Sequence, residues 1–197
     1  RLTFCLLLML CLPLAVETPM VLNLWLKEVP EGTAVFLRLM LVILIIDQMS
    51  SPLITAIAAT GKIKKYQIFS NGIKISTVPV AYIVLKMGGV PWTVFVVYLL
   101  ISVLAYIATL YLVLPKISLS IKDYTINVFT PCGLVLFSSL VTPFLLKQVV
   151  GESFLFSLLT ITVTVVVTGI LCYTIGLDKE MRSLIVKKVR SIIGKSK

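Results

Sequence analysis

A chain of 197 residues that is 59% hydrophobic and only 13% charged lies outside the soluble range, where about 45–50% of residues are apolar and about a quarter charged. With a mean hydropathy of +1.10, its surplus apolar surface calls for lipid, which excludes an ordinary water-soluble domain. The net charge of +10 sits at the ends of apolar runs and in the last twenty residues, a topology signal rather than a nucleic-acid footprint.

Six apolar runs are separable, each of spanning length at about 20 residues or more. The first covers Leu2 to Leu26 and is interrupted by Pro13 and Pro19. Its opening part, Leu2 to Val16, has the character of a signal-peptide core. No small-residue cleavage site follows, and apolar character resumes to Leu26, so it is expected to span, in a protein whose front end is missing. Glu17 lies inside this run beside Pro19. It either faces a cavity or sits where a kink admits water.

The second run, Thr33 to Thr60, organises the chain. It carries Arg38 and Asp47 within its apolar body, then Ser50, Ser51 and Pro52, and ends in Gly61 and the basic cluster Lys62, Lys64 and Lys65. Charge inside hydrocarbon costs a few kcal/mol on insertion scales, and such residues usually face a bundle interior or a watery cavity. Asp47 is roughly 20 Å of helical rise from either end of the run, near the midplane. Arg38 lies nine residues earlier, about 13 Å along the axis and half a turn round, so the two cannot pair on one helix face.

The third run is Tyr66 to Leu85, with Pro79. Lys74 lies about 12 Å above its start by helical rise, within reach of Asp47 or of the interface by snorkelling. Two readings of Asp47 and Lys74 stand side by side: a cationic or proton-coupling site, and an interhelical pair that locks two helices. The fourth run is Pro91 to Leu114 and the fifth Tyr124 to Leu146, with Pro131 and Pro143. The sixth, Phe154 to Ile175, is rich in threonine and valine. Its alternation suits a strand in water. In lipid it is expected to be a helix, because no partners for a closed barrel exist.

The linkers are short and carry breakers, Pro30 and Gly32, Gly61, Gly88-Gly89-Pro91, Pro115 and Gly151, which makes neighbouring helices antiparallel. Lysine alternates with them. Lys62, Lys64 and Lys65, then Lys116 and Lys122, then the tail mark one side, while the other loops are poorer. By the positive-inside rule both ends of the chain are expected in the cytoplasm. Trp25 and Trp92 fall at the opposite interface, as belt aromatics do.

Residues 177–197 form a basic tail. From Asp178 onward there are seven basic and two acidic residues, with Met181, Leu184, Ile185, Val189, Ile192 and Ile193 roughly on one side. This pattern predicts an amphipathic helix on the cytoplasmic surface with anionic lipids as its partner, and no nucleic acid.

Catalytic and metal chemistry find little support. There is no histidine, and Cys5, Cys11, Cys132 and Cys172 lie in apolar runs without CxxC spacing, so they read as small buried hydrophobes. No Gly-rich phosphate loop is present, and no pair of acids at helical spacing lies within the apolar runs, where Glu17 and Asp47 are the only acids. The expectation is a transporter, not an enzyme, with no cofactor beyond a possible coupling ion, H+ or Na+.

The runs PMVLNLWLKEVPEGTAVFLRLML and SSPLITAIAATGKIKKYQ resemble the polysaccharide flippases of the multidrug/oligosaccharidyl-lipid/polysaccharide exporter superfamily. The marks are Leu24-Trp25-Leu26 with Pro30 at an outer helix end, Arg38 at the start of the next helix, and Ala59-Thr60-Gly61-Lys62 at an inner loop. The closing GLDKEMRSLIVKKVR is similar to the tails of such proteins. The resemblance implies an all-α integral membrane fold: six transmembrane helices in residues 1–176 as part of the carboxy-terminal lobe of a 12–14-helix flippase. It implies translocation of an undecaprenyl-pyrophosphate-linked oligosaccharide across the bacterial inner membrane for surface polysaccharides such as O-antigen lipopolysaccharide or capsule. The amino-terminal half of the same transporter would be a partner. Within this reading Arg38, Asp47 and Lys74 are expected to line the substrate or ion cavity. The alternatives are a drug or metabolite exporter of the same superfamily, and a membrane-embedded glycan polymerase or acyltransferase.

Overall fold

In a computed structural model of the chain, residues 1–26, 28–61, 63–149, 154–178, 181–184 and 187 are described. Among them every regular element is helical. The helices are α1 (Leu2–Val16), α2 (Thr18–Trp25), α3 (Thr33–Ala59), α4 (Ile63–Ile75), α5 (Thr77–Lys86), α6 (Thr93–Val113), α7 (Ile121–Tyr124), α8 (Thr130–Val149) and α9 (Phe154–Leu171). The valine- and threonine-rich sixth run is thus a helix, as a backbone in hydrocarbon requires.

Among the described residues five segments are long and apolar enough to cross a membrane by length and composition: Thr33–Ala59, Ile63–Lys86, Thr93–Ile117, Ile121–Leu146 and Phe154–Gly176. The first run is not the single helix expected over residues 2–26. It breaks at Glu17 into α1 and α2, which are bent by 81°, and makes a sixth span only if the two halves count as one. Proline chemistry explains the break. Pro19 has no N–H to give the carbonyl four residues back, Ala15, and its ring crowds that position.

Three further boundaries move for similar reasons. The third run starts at Ile63 rather than Tyr66 and is interrupted at Ser76. There Pro79 has no N–H for the Ile75 carbonyl, and the Ser76 hydroxyl donates to the Ile73 carbonyl at 2.6 Å. The fifth run starts at Ile121, and a π-helical turn over Thr125–Phe129 precedes α8, next to Pro131. The fourth run begins at Thr93 and closes in a 3-10 turn over Leu114–Ile117. Most of residues 177–197 lies outside the described residues; the helical Met181–Leu184 segment begins with an Arg182 N–H bond to the Asp178 carbonyl.

The chain forms two compact units, Leu14–Asn127, and Arg1–Pro13 with Val128–Lys197. In the Leu14–Asn127 unit α6 is central and packs against α3, α4 and α5. Phe36 of α3 meets Phe95 of α6 edge to face, with ring centroids 5.1 Å apart. Ala81 of α5 packs with Val97 and Ile101 of α6, flanked by Ile73, Val84 and Val94. The turns between helices use left-handed glycines, Gly61 at φ +71° and Gly88 at φ +90°, a conformation that costs any residue with a Cβ.

In the other unit α8 packs against α9 and the π-helical turn Cys172–Gly176. The first turns of α1 join them closely. A Cβ on Gly176 would stand 2.6 Å from the Cys5 sulfur and 3.6 Å from Val135, and one on Gly169 would stand 3.1 Å from the end of Met9. The Cys172 thiol points at the Cys5 carbonyl, 3.7 Å away, and Arg1 pairs with Asp178. The four cysteines are free and buried, as their apolar setting suggests. Both units keep large apolar side chains outside, Leu100, Leu104, Phe137, Phe144 and Leu155 among them, the surface that a lipid solvent tolerates and water does not.

Candidate functional site

The long helix α3 is the scaffold. Its apolar residues are good membrane-helix formers, and it turns into α4 through Gly61, whose N–H bonds the Ala58 carbonyl at 3.0 Å. Asp47 lies fourteen residues before Gly61 and Lys74 thirteen after it. In a helical hairpin equal steps from the turn give equal heights, so the two residues come level. Lys74 Nζ donates to Asp47 Oδ1 at 3.1 Å.

The pair is not enclosed by the helices around it. The side chains of Lys74 and Asp47 are 38% and 31% exposed. Lipid exposure of an ion pair near mid-span is costly, so this face calls for water or for another polar surface. Chemically, the carboxylate can hold the ammonium or exchange it for a small cation, and the ammonium can pass to an anion. Both readings of the pair given above remain compatible with this geometry.

Arg38 is elsewhere and does something different. Its Nε donates to the Ala15 carbonyl at 3.1 Å, in the last turn of α1. That is the carbonyl that Pro19 leaves without its helical donor. Thr18 supports the same place: its hydroxyl donates to the carbonyls of Leu14 at 2.7 Å and Ala15 at 3.0 Å. Arg38 therefore clasps the broken first run to α3, and the structure does not bring it to Asp47 and Lys74. Glu17 stands at the break itself and is buried, at 6% exposure. The proline four residues after Ala15 was the signal for this clasp in the sequence.

Among the described residues no group of three or more His, Cys, Asp or Glu side chains is arranged to hold a metal ion. An open groove of about 550 Å³ runs along one side of α4, lined by Ile63, Lys64, Gln67, Ile68, Asn71, Gly72 and Ile75. Lys64, Gln67 and Asn71 follow one another at steps of three and four, the spacing of one helix face. They were not singled out as candidate site residues from the sequence.

Compared with protein-family models, with curated proteins and with solved structures, the chain matches none.

Proposed function

We propose that this chain is part of a flippase that carries an undecaprenyl-pyrophosphate-linked oligosaccharide across the bacterial inner membrane. The observation that carries the reading is the partly exposed Asp47–Lys74 pair near the middle of a helix long enough to cross a membrane. A protein that only anchors has no use for charge there, whereas a transporter needs polar groups that meet water or cargo. The proline breaks at Glu17 and Ser76 support it, because broken helices suit a membrane protein that changes shape. The motifs Leu24-Trp25-Leu26 with Pro30, Arg38, and Ala59-Thr60-Gly61-Lys62 support it through their resemblance to that family.

In this reading six spans, counting α1 with α2 as one, form part of a carboxy-terminal lobe that works with an amino-terminal lobe of the same transporter. The chain is not an enzyme and needs no cofactor. Lys74 meets the pyrophosphate by charge, and Asp47 holds Lys74 until cargo or a coupling ion, H+ or Na+, displaces it. Arg38 acts by keeping the first span in its bent form. The basic tail rests on anionic lipid of the cytoplasmic leaflet, and both ends of the chain lie in the cytoplasm. The test is deletion of the whole gene in a cell that displays the glycan. Lipid-linked repeats should accumulate on the cytoplasmic face; a normal surface glycan overturns the proposal.

A further inference from the structure

The threonines of α9 and the turn that follows it behave in two ways. Thr160, Thr162 and Thr174 turn their hydroxyls back on their own helix, donating to the carbonyls of Phe156, Leu158 and Ile170 at 2.9 Å each. That is the nearest acceptor for a threonine in an apolar helix. Thr164 and Thr168 do not follow them. Both are fully buried, at 0% exposure, and among the described residues neither hydroxyl has a hydrogen-bond partner. Ser139 of α8 is in the same condition, at 0% exposure and unpartnered. Since the two α9 hydroxyls are not folded back and do not reach the surface, they point into the interior of their unit.

Helix register brings these groups together. A Cβ on Gly176 would stand 3.6 Å from Val135 of α8, which sets the register of the two antiparallel neighbours. From that contact Ser139, four residues on from Val135, and Thr168, eight residues back from Gly176, come to neighbouring heights. Thr164 is one turn further along the same face, on the Pro143 side. Pro143, also fully buried, stands four residues after Ser139 and has no N–H, so the Ser139 carbonyl loses its helical donor. Three orphan hydroxyls and a freed carbonyl thus follow one another along α8 and α9, with Thr168 nearest in height to Ser139. Each unpaired buried group is costly, and hydrocarbon around the unit offers nothing to pair with. Neither α8 nor α9 carries an acidic residue, so the set is electrically neutral. A neutral set of oxygen acceptors and donors fits water, which takes two to four such partners.

We propose that Ser139 and Thr168 hold an ordered water that bridges the Ser139 carbonyl to the Thr168 hydroxyl, and that this hydrated seam is where α8 bends at Pro143. A proline whose lost bond is replaced by water and a neighbouring hydroxyl is a point where a helix flexes at low cost.

The test uses the full chain in lipid nanodiscs and radiolytic labelling, in which X-rays split bound water and mark the side chains beside it. Pro143 and Val135, both buried, should be labelled in the native chain. Labelling should be lost in the double variant Ser139→Ala with Thr168→Val and kept in Thr168→Ser, which retains the hydroxyl. Absence of label in the native chain, or equal label in the double variant, overturns the proposal. A second arm measures thermal unfolding of Ser139→Ala, Thr168→Val and the pair. Water shared by both sites makes the double loss smaller than the sum of the singles; strictly additive losses count against it. Replacing sodium chloride with choline chloride at equal ionic strength completes the set. If that change lowers the melting point of the native chain but not of the double variant, the seam holds a sodium ion and the water assignment falls.

Discussion

Arg38 and Ala15 are joined by a hydrogen bond that proline makes necessary. The arginine Nε reaches the carbonyl of Ala15 at 3.1 Å, where the helix itself has no donor because Pro19 stands four residues on. A charge placed on a helix of membrane-crossing length thereby becomes part of how the first run bends. The cost of carrying Arg38 in an apolar run is offset by satisfying a backbone group that hydrocarbon cannot satisfy.

This relationship predicts a coupled pair of substitutions. Arg38→Ala should destabilise the chain by about 1–3 kcal/mol, the range for leaving a backbone acceptor unpaired. The low end is expected, since the Thr18 hydroxyl also reaches the Ala15 carbonyl, at 3.0 Å. Pro19→Ala restores an N–H at the right spacing, so Arg38→Ala should cost less in that background. Thermal unfolding of the four chains in detergent measures the coupling. Equal cost of Arg38→Ala with and without Pro19 would show that the arginine acts elsewhere.

A second prediction concerns close packing at the carboxy-terminal end of α9. A methyl group on Gly176 would stand 2.6 Å from the Cys5 sulfur, inside van der Waals contact, and Cys5 is only 2% exposed, so it has little room to yield. Gly176→Ala should cost about 1–3 kcal/mol, as overpacking does. Cys5→Ala in the same chain should recover much of that loss by removing the sulfur. If the second change adds to the damage, the first turns of α1 do not pack on this turn as described.

Much of this arrangement is legible in the residues, and the exceptions have one cause. Apolar run lengths place α3, α6 and α9 closely, because twenty or so apolar residues in lipid have no alternative to a helix. The Asp47–Lys74 contact is legible too, since their near-equal distances from Gly61 fix their heights. What run length hides is the effect of proline. Pro19, Pro79 and Pro131 lie within or beside runs that look continuous, yet the chain breaks or loosens near each. Hydropathy counts side chains and is blind to a missing N–H. The clasp by Arg38 is hidden from run length in the same way: its acceptor is a backbone carbonyl, and the signal for it is the N–H that Pro19 lacks.

Topology gives a third prediction. With α1 and α2 as one span and both chain ends in the cytoplasm, a cysteine at Val29 should react with an impermeant maleimide added to intact cells, and one at Ile63 should not. The native cysteines are all buried, which keeps the background low. Reaction at position 63 from outside reverses the orientation. Reaction at both positions shows that the segment between them does not cross the bilayer.

The last prediction separates transport from structure at the Asp47–Lys74 pair. The contact at 3.1 Å is made by partly exposed side chains, so neither partner is locked by packing, and its strength depends on how much water reaches it. If the pair works in export, Asp47→Asn and Lys74→Met each lower surface polysaccharide at matched expression, and combining them restores nothing, because cargo and coupling ion have both lost their contact. If the pair only holds α3 to α4, each single change leaves a charge near mid-span without its partner, at a cost of several kcal/mol where burial is complete and less here. The double change then removes both charges and recovers export. A charge-reversed chain, Asp47→Lys with Lys74→Asp, sharpens the contrast: it keeps the ion pair but moves the cation onto α3. Loss of export at normal stability assigns the pair to transport, while full export by the reversed chain assigns it to the joint between the two helices.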